Sequence, residues 1–442
     1  MTRKVVLILF VIITNLIAQK GKIGFTEYDL PNGLHVILHQ DNSTPIVATS
    51  VFYHVGSKNE HPERTGFAHF FEHLMFEGSA NIPRGKFMSI VESNGGTLNA
   101  TTDNDRTFYY EVLPSNQLEL ALWLESERML HLKIDSIGVE TQRKVVKEER
   151  KQRLENQPYG SIMEETFKRA YKVHPYRWTP IGSSQYIDLA KYDEFIDFYK
   201  NYYVPNNAVL TIAGDIDIKK TKELVKKYFG DISIGKEKIS RPDPNEPELG
   251  NEVRDVVYDN IQLPLVLMAY RIPGTKSQEA YQIEMLSSLL AAGQSSRIYK
   301  ELVDKQQKAV AAGCIPMLME DSGLLLIYAI ANVGVSADEL EKLLQSEIEK
   351  VKAEKASDKE FTKLKNMQET QFVNQASSMM GIASSLPNYF VFHGNTNLIN
   401  TEIEKYLEVT SEQVKSVADK YLKNNNRVVL YYLPKSAKPN QN

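Results

Sequence analysis

The 442-residue chain sets 52 Lys and Arg against 56 Asp and Glu, a formal charge of −4, with 42% hydrophobic and 24% charged residues. That balance belongs to a globular protein with room for two or three domains, and it excludes the basic footprint of a nucleic-acid binder. A single cysteine, Cys314, excludes an internal disulfide and a thiolate metal site.

The chain opens MTRKVVLILFVIITNLIAQKGK, with Arg3 and Lys4 ahead of an apolar run from Val5 to Ala18. The run is short for a membrane span, which needs about 20 apolar residues, and suits a secretory h-region. Residues 1–18 therefore read as a signal peptide, and the protein as exported, periplasmic or secreted. An uncleaved anchor is the alternative. A mitochondrial presequence fits less well, because the run is not an amphipathic Arg- and Ser-rich helix. Export without disulfides is compatible with a bacterial periplasm.

From Phe25 the pattern alternates apolar and polar residues around the Asn32-Gly33 turn, which predicts a β-hairpin and a further strand. A helix is expected from Thr65 to about Glu77, capped by Thr65 and stopped by Gly78. The stretch GGTLNATTDNDRTFYYEVL (95 to 113) predicts strand, turn and strand. Helical periodicity then runs over 117–131 and 138–154. Near residue 205 an amphipathic helix gives way to an Asn turn and a β-rich strand, and the C-terminus repeats that order. Ser411 falls on Asp193, Tyr421 on Tyr203 and Asn425 on Asn207, a shift of 218. The repeat predicts an α+β protein of two similar halves, 22–233 and 252–442. The proline-bearing polar stretch 234–251 reads as an exposed linker.

One segment carries chemistry. In GFAHFFEHLMFEGS, His69 and His73 lie four apart, so a helix puts both imidazoles on one face, with Glu72 beside them. This His-x-x-Glu-His order is that of the inverted zincins, in which the glutamate serves as general base. An amphipathic helix with two non-functional histidines is the bland alternative. Two imidazoles leave zinc short of a ligand, and a carboxylate from another element is expected to supply it. Glu148 and Glu149, on the helical stretch QRKVVKEERKQRLENQPYG, are both candidates.

At this point the sequence resembles the pitrilysin and insulinase family of zinc metallopeptidases, whose motif is followed some 75 residues later by Val-x-x-Glu. Val146-Lys147-Glu148-Glu149 fits that frame. LPNGLHVIL, HVGS, HLMFEGS, NGGTLNATTDNDRTFYYEVL, HPYRWTPIG and PNNAVLTIAGD extend the likeness over nearly all of the mature chain. The resemblance implies an α+β fold of the LuxS/processing-peptidase-like metallohydrolase kind, with two homologous halves, each a mainly antiparallel sheet packed with helices. It implies one Zn2+ per chain held by His69, His73 and Glu149, with Glu72 catalytic. Asn99, Ala100 and Thr101 are then the substrate-binding edge strand, to which an extended peptide adds as a further strand. Gln142 stands where many relatives carry a second glutamate that supports the site from outside the ligand shell.

The likeness also exposes two gaps. Val303 and Val310 occupy the positions where single-chain relatives carry an arginine and a tyrosine that stabilise the oxyanion. The second half has lost the metal motif, with Glu284, Ser287 and Ser288 opposite His69, Glu72 and His73. The expected protein is therefore an exported zinc endopeptidase acting on peptides or unfolded chains in an enclosed chamber. A paralogous subunit, or a second copy in a homodimer, would supply the missing donors. A non-proteolytic assembly subunit and a zinc-retaining peptide-binding protein are the alternatives. Arg297 and Tyr299 lie near the gap, but the Ser-Ser-Arg element reads as structural.

Overall fold

The computed structural model describes residues 21–236 and 238–439. The segment 1–18, read as a signal peptide, lies outside the described residues. Among the described residues, no helix is long and apolar enough to cross a membrane.

The first sheet contains β1 (Thr26–Asp29), β2 (His35–Gln40), β3 (Ile46–Tyr53), β4 (Thr97–Thr102), β5 (Thr107–Pro114) and β6 (Ala208–Gly214). Their order is β1-β2-β6-β3-β5-β4, antiparallel throughout except for the parallel pair β2–β6. The second sheet contains β7 (Val253–Asp259), β8 (Leu265–Pro273), β9 (Ala309–Met317), β10 (Ser322–Ala331) and β11 (Arg427–Pro434). Its order is β7-β11-β8-β10-β9, with β7–β11 the parallel pair. Without β1 the two orders coincide strand for strand, so the molecule is an α+β fold of two homologous units.

The repeat is real but its register moves by one residue. The helix Tyr192–Tyr202 corresponds to the helix Ser411–Tyr421. The Asn207 amide donates to Tyr202 O and His54 O, and the Asn426 amide donates to Tyr421 O and Arg271 O. The shift is therefore 219 (411 − 192 and 426 − 207), and Asn426, not Asn425, is the counterpart of Asn207. In a run of three asparagines the hydrogen-bond partners, not residue type, decide which one is equivalent.

The strands are more apolar than simple alternation predicts, because both faces of each sheet are covered. In β2, Val36 and Leu38 enter the first core while Ile37 enters a different one on the opposite face. The cover on that opposite face comes from the other half of the chain. The helix Met379–His393 presses Ile382, Ala383, Leu386 and Tyr389 against Ile37, Ala48, Phe52, Val209 and Ala213. Reciprocally, the helix Ile162–Ala170 lays Phe167 and Ala170 on Leu267, Ala269, Leu326 and Leu430 of the second sheet. Each half thus completes the core of the other.

The described residues of the stretch 234–251 form no helix or strand, yet the stretch is tethered to both halves. The Glu246 carboxylate accepts from the backbone N–H groups of Lys172, Val173 and His174 and from Arg271, and Leu249 is buried. Nearby, the buried Lys58 ammonium meets Asp105 at 2.9 Å and, across the halves, Glu320 at 2.6 Å and Asp321 at 3.1 Å. A charge this deep is tolerable because three carboxylates compensate its lost hydration.

Candidate metal centre

The ligand-bearing helix is α1 (Phe67–Leu74). Phe67, Phe70, Phe71 and Leu74 recur at helical spacing and are buried, with Phe67 stacked on Phe195 at 4.6 Å. That packing turns His69, Glu72 and His73 onto the neighbouring face. The expected cap is wrong: the residue before the helix is Gly66, at φ +100, and Thr65 instead accepts from Ser183 N. The cap comes from Glu60, whose carboxylate accepts from Gly66 N at 2.9 Å and Ala68 N at 2.8 Å. Burial pushes Glu60 up to about 8, against the pull of those amide donors. Gly182, from the HPYRWTPIG segment, lies so close that a Cβ there would meet Gly66 N at 2.3 Å. That segment therefore fixes the start of α1.

The second ligand element is α2 (Ser136–Arg150), capped by Asp135 and running into a wider turn at Lys151–Glu155. It brings Glu149 Oε2 to 3.0 Å from His73 Nε2 and 3.6 Å from His69 Nε2. One donor atom from each of the three residues lies within 4.8 Å of the others, the only such group of histidine, cysteine and acidic side chains among the described residues. Glu148 instead accepts from Gln152 on the surface. Glu149 Oε2 is buried without a well-aligned hydrogen bond, so one carboxylate oxygen and two imidazole nitrogens face one point. Burial and the neighbouring His73 push His69 down to about 4, which keeps its ring neutral at physiological pH. His73 draws Glu149 below the ordinary carboxylate value, against burial, with His69 and Arg153 adding to it. A neutral imidazole and an ionised carboxylate are the protonation states a metal requires. Two imidazoles and one carboxylate with a free position suit a catalytic zinc.

Glu72 is half-buried on α1. Burial raises its pKa above the usual range, opposed by the Thr102 hydroxyl of β4 and by His73. β4 is one of the two edge strands of the first sheet. Asn99 and Thr101 are exposed on it and Ala100 is buried. Asn99 does not reach outward: its Oδ1 accepts from Ala100 N at 2.8 Å and so covers an amide of the open edge. Gly96 permits close approach, but to Leu113 of β5, whose side chain a Cβ would meet at 2.5 Å.

Gln142 lies away from the ligands. Its amide donates to Glu77 Oε1 at 2.6 Å, in the turn that closes α1. Sequence reasoning passed over Glu60, Glu77, Arg84 and Arg153, the last of which reaches Glu149 Oε1 at 3.0 Å. The i, i+4 spacing of Glu149 and Arg153 was a visible signal for that pair. In the second half, Glu284 and Ser287 are engaged with Tyr406 and Cys314 O. Val303 packs against the second core and Val310 is 47% exposed on β9.

Comparison with known proteins agrees with this architecture. The family described as Insulinase (Peptidase family M16) matches residues 35–179, and the Peptidase M16 inactive domain matches residues 190–368. The zinc protease PqqE of Helicobacter pylori is 32% identical over 408 residues, covering 92% of each chain. The probable mitochondrial-processing peptidase subunit beta of Arabidopsis thaliana is 24% identical, covering 89% of this chain and 75% of that one. The crystal structure of a protease from Helicobacter pylori superposes with a TM-score of 0.89 at 31% identity, over 93% of this chain and all of that one. The first half of the periplasmic protease PqqL from Escherichia coli gives a TM-score of 0.74 at 19% identity, over 92% of each chain. The chain belongs to the insulinase family of peptidases, peptidase family M16, whose relatives are named zinc proteases.

Proposed function

We propose that the chain is an exported zinc endopeptidase, with His69, His73 and Glu149 holding the ion and Glu72 as general base. The observation that carries this reading is the convergence of two imidazoles and a carboxylate whose buried oxygen is unsatisfied, beside a half-buried glutamate and a strand at a sheet edge. An ion bound there would act as a Lewis acid and make water nucleophilic at neutral pH. An extended peptide pairs with β4, displacing the Asn99 side chain from Ala100 N, so the backbone supplies affinity with little dependence on side chains. Glu72, raised in pKa by its burial, takes the proton of the attacking water and returns it to the leaving amine. Arg153 holds the outer oxygen of Glu149 and leaves the inner one for the metal.

The chain offers no oxyanion donor at Val303 or Val310. It covers 92% of the first half of PqqL but 47% of the whole PqqL chain, a likeness of fold alone. Both observations support a two-chain enzyme in which a paralogous subunit supplies an arginine and a tyrosine. The apolar run Val5–Ala18, and the periplasmic placement of PqqL, support export.

The test measures zinc content and hydrolysis of a quenched mixed-peptide library by the mature chain, alone and with its paralogue, with Glu72→Gln as control. Zinc near one per chain, and turnover that appears in the mixture and vanishes with Glu72→Gln, is expected. Losing an oxyanion donor costs about a hundred- to a thousandfold, so full-rate turnover by the chain alone would refute the split site.

A further inference from the structure

We propose that Glu77 is a positioning residue of the metal centre: its two carboxylate oxygens brace the helix of His69 and His73 to the helix of Glu149. The inference rests on the metal-site reading above and adds the side chains that set the gap between the two ligand helices. Glu77 Oε1 accepts from Gln142 on α2 at 2.6 Å, and Glu77 Oε2 accepts from Arg84. Arg84 reaches on to Asp135 Oδ1 at 2.6 Å, and that oxygen also accepts Gly138 N at 2.8 Å as the cap of α2. The end of α1 is thus tied to α2 at two points, one at its N-terminus and one partway along it.

The leverage is short. Glu77 lies three residues past the end of α1, in the turn that closes it, and Gln142 is seven residues before Glu149, about 10 Å along α2 at 1.5 Å per residue. Ligand distances tolerate only about 0.2 Å, so a small change of helix spacing at the brace reaches the donor atoms. The Glu77 side chain is 9% exposed, so water cannot readily take over either bond.

Hydrogen-bond polarity makes the brace testable. Glu77 offers two acceptors to two donors. Glu77→Gln leaves one acceptor there, so either Arg84 or Gln142 faces an amide N–H. Gln142→Glu in an otherwise unchanged chain sets two carboxylates against each other. Exchanging both restores the chain of bonds: the amide introduced by Glu77→Gln accepts from Arg84 through its oxygen and donates through its nitrogen to the carboxylate introduced by Gln142→Glu.

The experiment is zinc affinity by competition with a chromophoric chelator for wild type, Glu77→Gln, Gln142→Glu and the double exchange. The thermal midpoint of each zinc-free protein is measured alongside. Removing such outer support typically weakens metal binding about 10- to 100-fold. Both single variants should fall in that range while the double exchange recovers to within about threefold of wild type. Equal affinity in Glu77→Gln and wild type would overturn the brace, as would a double exchange no better than the singles. Affinities that simply followed the zinc-free midpoints would reduce it to ordinary packing. A wild type that takes up no zinc would overturn the site reading and the brace together, whereas the preceding results overturn the brace alone.

Discussion

The reciprocal cover of the two sheets makes a definite statement about folding: neither half is a separate unit, although the repeat makes each look like one. Leu386→Ala tests it. Leu386 belongs by sequence to the second half, is fully buried, and packs against Phe52 and Val209 of the first sheet. Truncating a buried leucine costs about 3 to 5 kcal/mol when the surroundings cannot collapse, and here the sheet behind it is fixed by six strands. The two tryptophans supply a local probe, because both lie in the first half. Trp123 packs against the first core, and the Trp178 indole donates to Ser57 O at 2.9 Å. With a urea slope of about 3 kcal/mol per molar, the tryptophan fluorescence midpoint should fall by about 1 M. Far-UV circular dichroism should fall with it. A tryptophan midpoint unchanged by Leu386→Ala, with only part of the ellipticity lost early, would show that the halves unfold independently and would refute the shared-core argument.

The remaining expectations concern single groups. Glu60, at about 8 in the folded chain against 4.5 unfolded, binds its proton more tightly when folded, so it favours folding below about pH 4.5 and less as pH rises toward 8. Glu60→Gln should therefore remove a downward slope of stability between about pH 5 and 8, seen in urea midpoints across that range, and an unchanged slope would contradict the burial argument. Gly182→Ala places a Cβ 2.3 Å from Gly66 N at a residue of φ +63, so it should destabilise by more than about 3 kcal/mol and lower zinc affinity. A variant with wild-type melting would refute that packing. Lys58→Met strips three carboxylates of their shared cation, a loss of about 3 to 5 kcal/mol in thermal or urea unfolding. Because Glu72 must be ionised to act as a base and its pKa is raised, kcat/KM should fall as pH drops through that pKa, and any residual activity of Glu72→Gln should keep only the more acidic limb set by loss of the metal; an unchanged acidic limb would contradict the assignment.

Much of this was legible in the sequence, for a physical reason. Elements whose signal is local, such as the Phe67 to Leu74 stripe, the Asn32-Gly33 turn and the Thr97 to Pro114 hairpin, were visible because periodicity and turn chemistry act over a few residues. The convergence of His69, His73 and Glu149 was foreseeable only because the spacing matched a known motif. What sequence missed depends on distant pairing. Glu60 caps a helix that begins only after Gly66 and looks like an ordinary surface glutamate. Glu246 looks like part of a linker until three backbone amides close on it. The register of the repeat failed at Asn424 to Asn426 because three identical residues carry no local distinction, and only the carbonyls they meet separate them.

The two halves show what the shared topology does and does not require. Both keep the parallel pair beside the central strands, the helix that ends in tyrosine and the asparagine behind it, which are needs of the sheet. Only the first keeps two imidazoles and a carboxylate aimed at one point. At the corresponding place in the second half, Glu284 is half-buried and engaged by Tyr406, with desolvation pushing it up to about 7. Ser287 donates to Cys314 O within the same half, whereas Glu149 Oε2 has no such partner. An unsatisfied buried carboxylate oxygen is costly in a stable fold, and one set 3.0 and 3.6 Å from two imidazole nitrogens has the geometry of a site for an external ligand. The second half therefore contributes helix cover and a second sheet, and the proposed chemistry belongs where α1 and α2 meet.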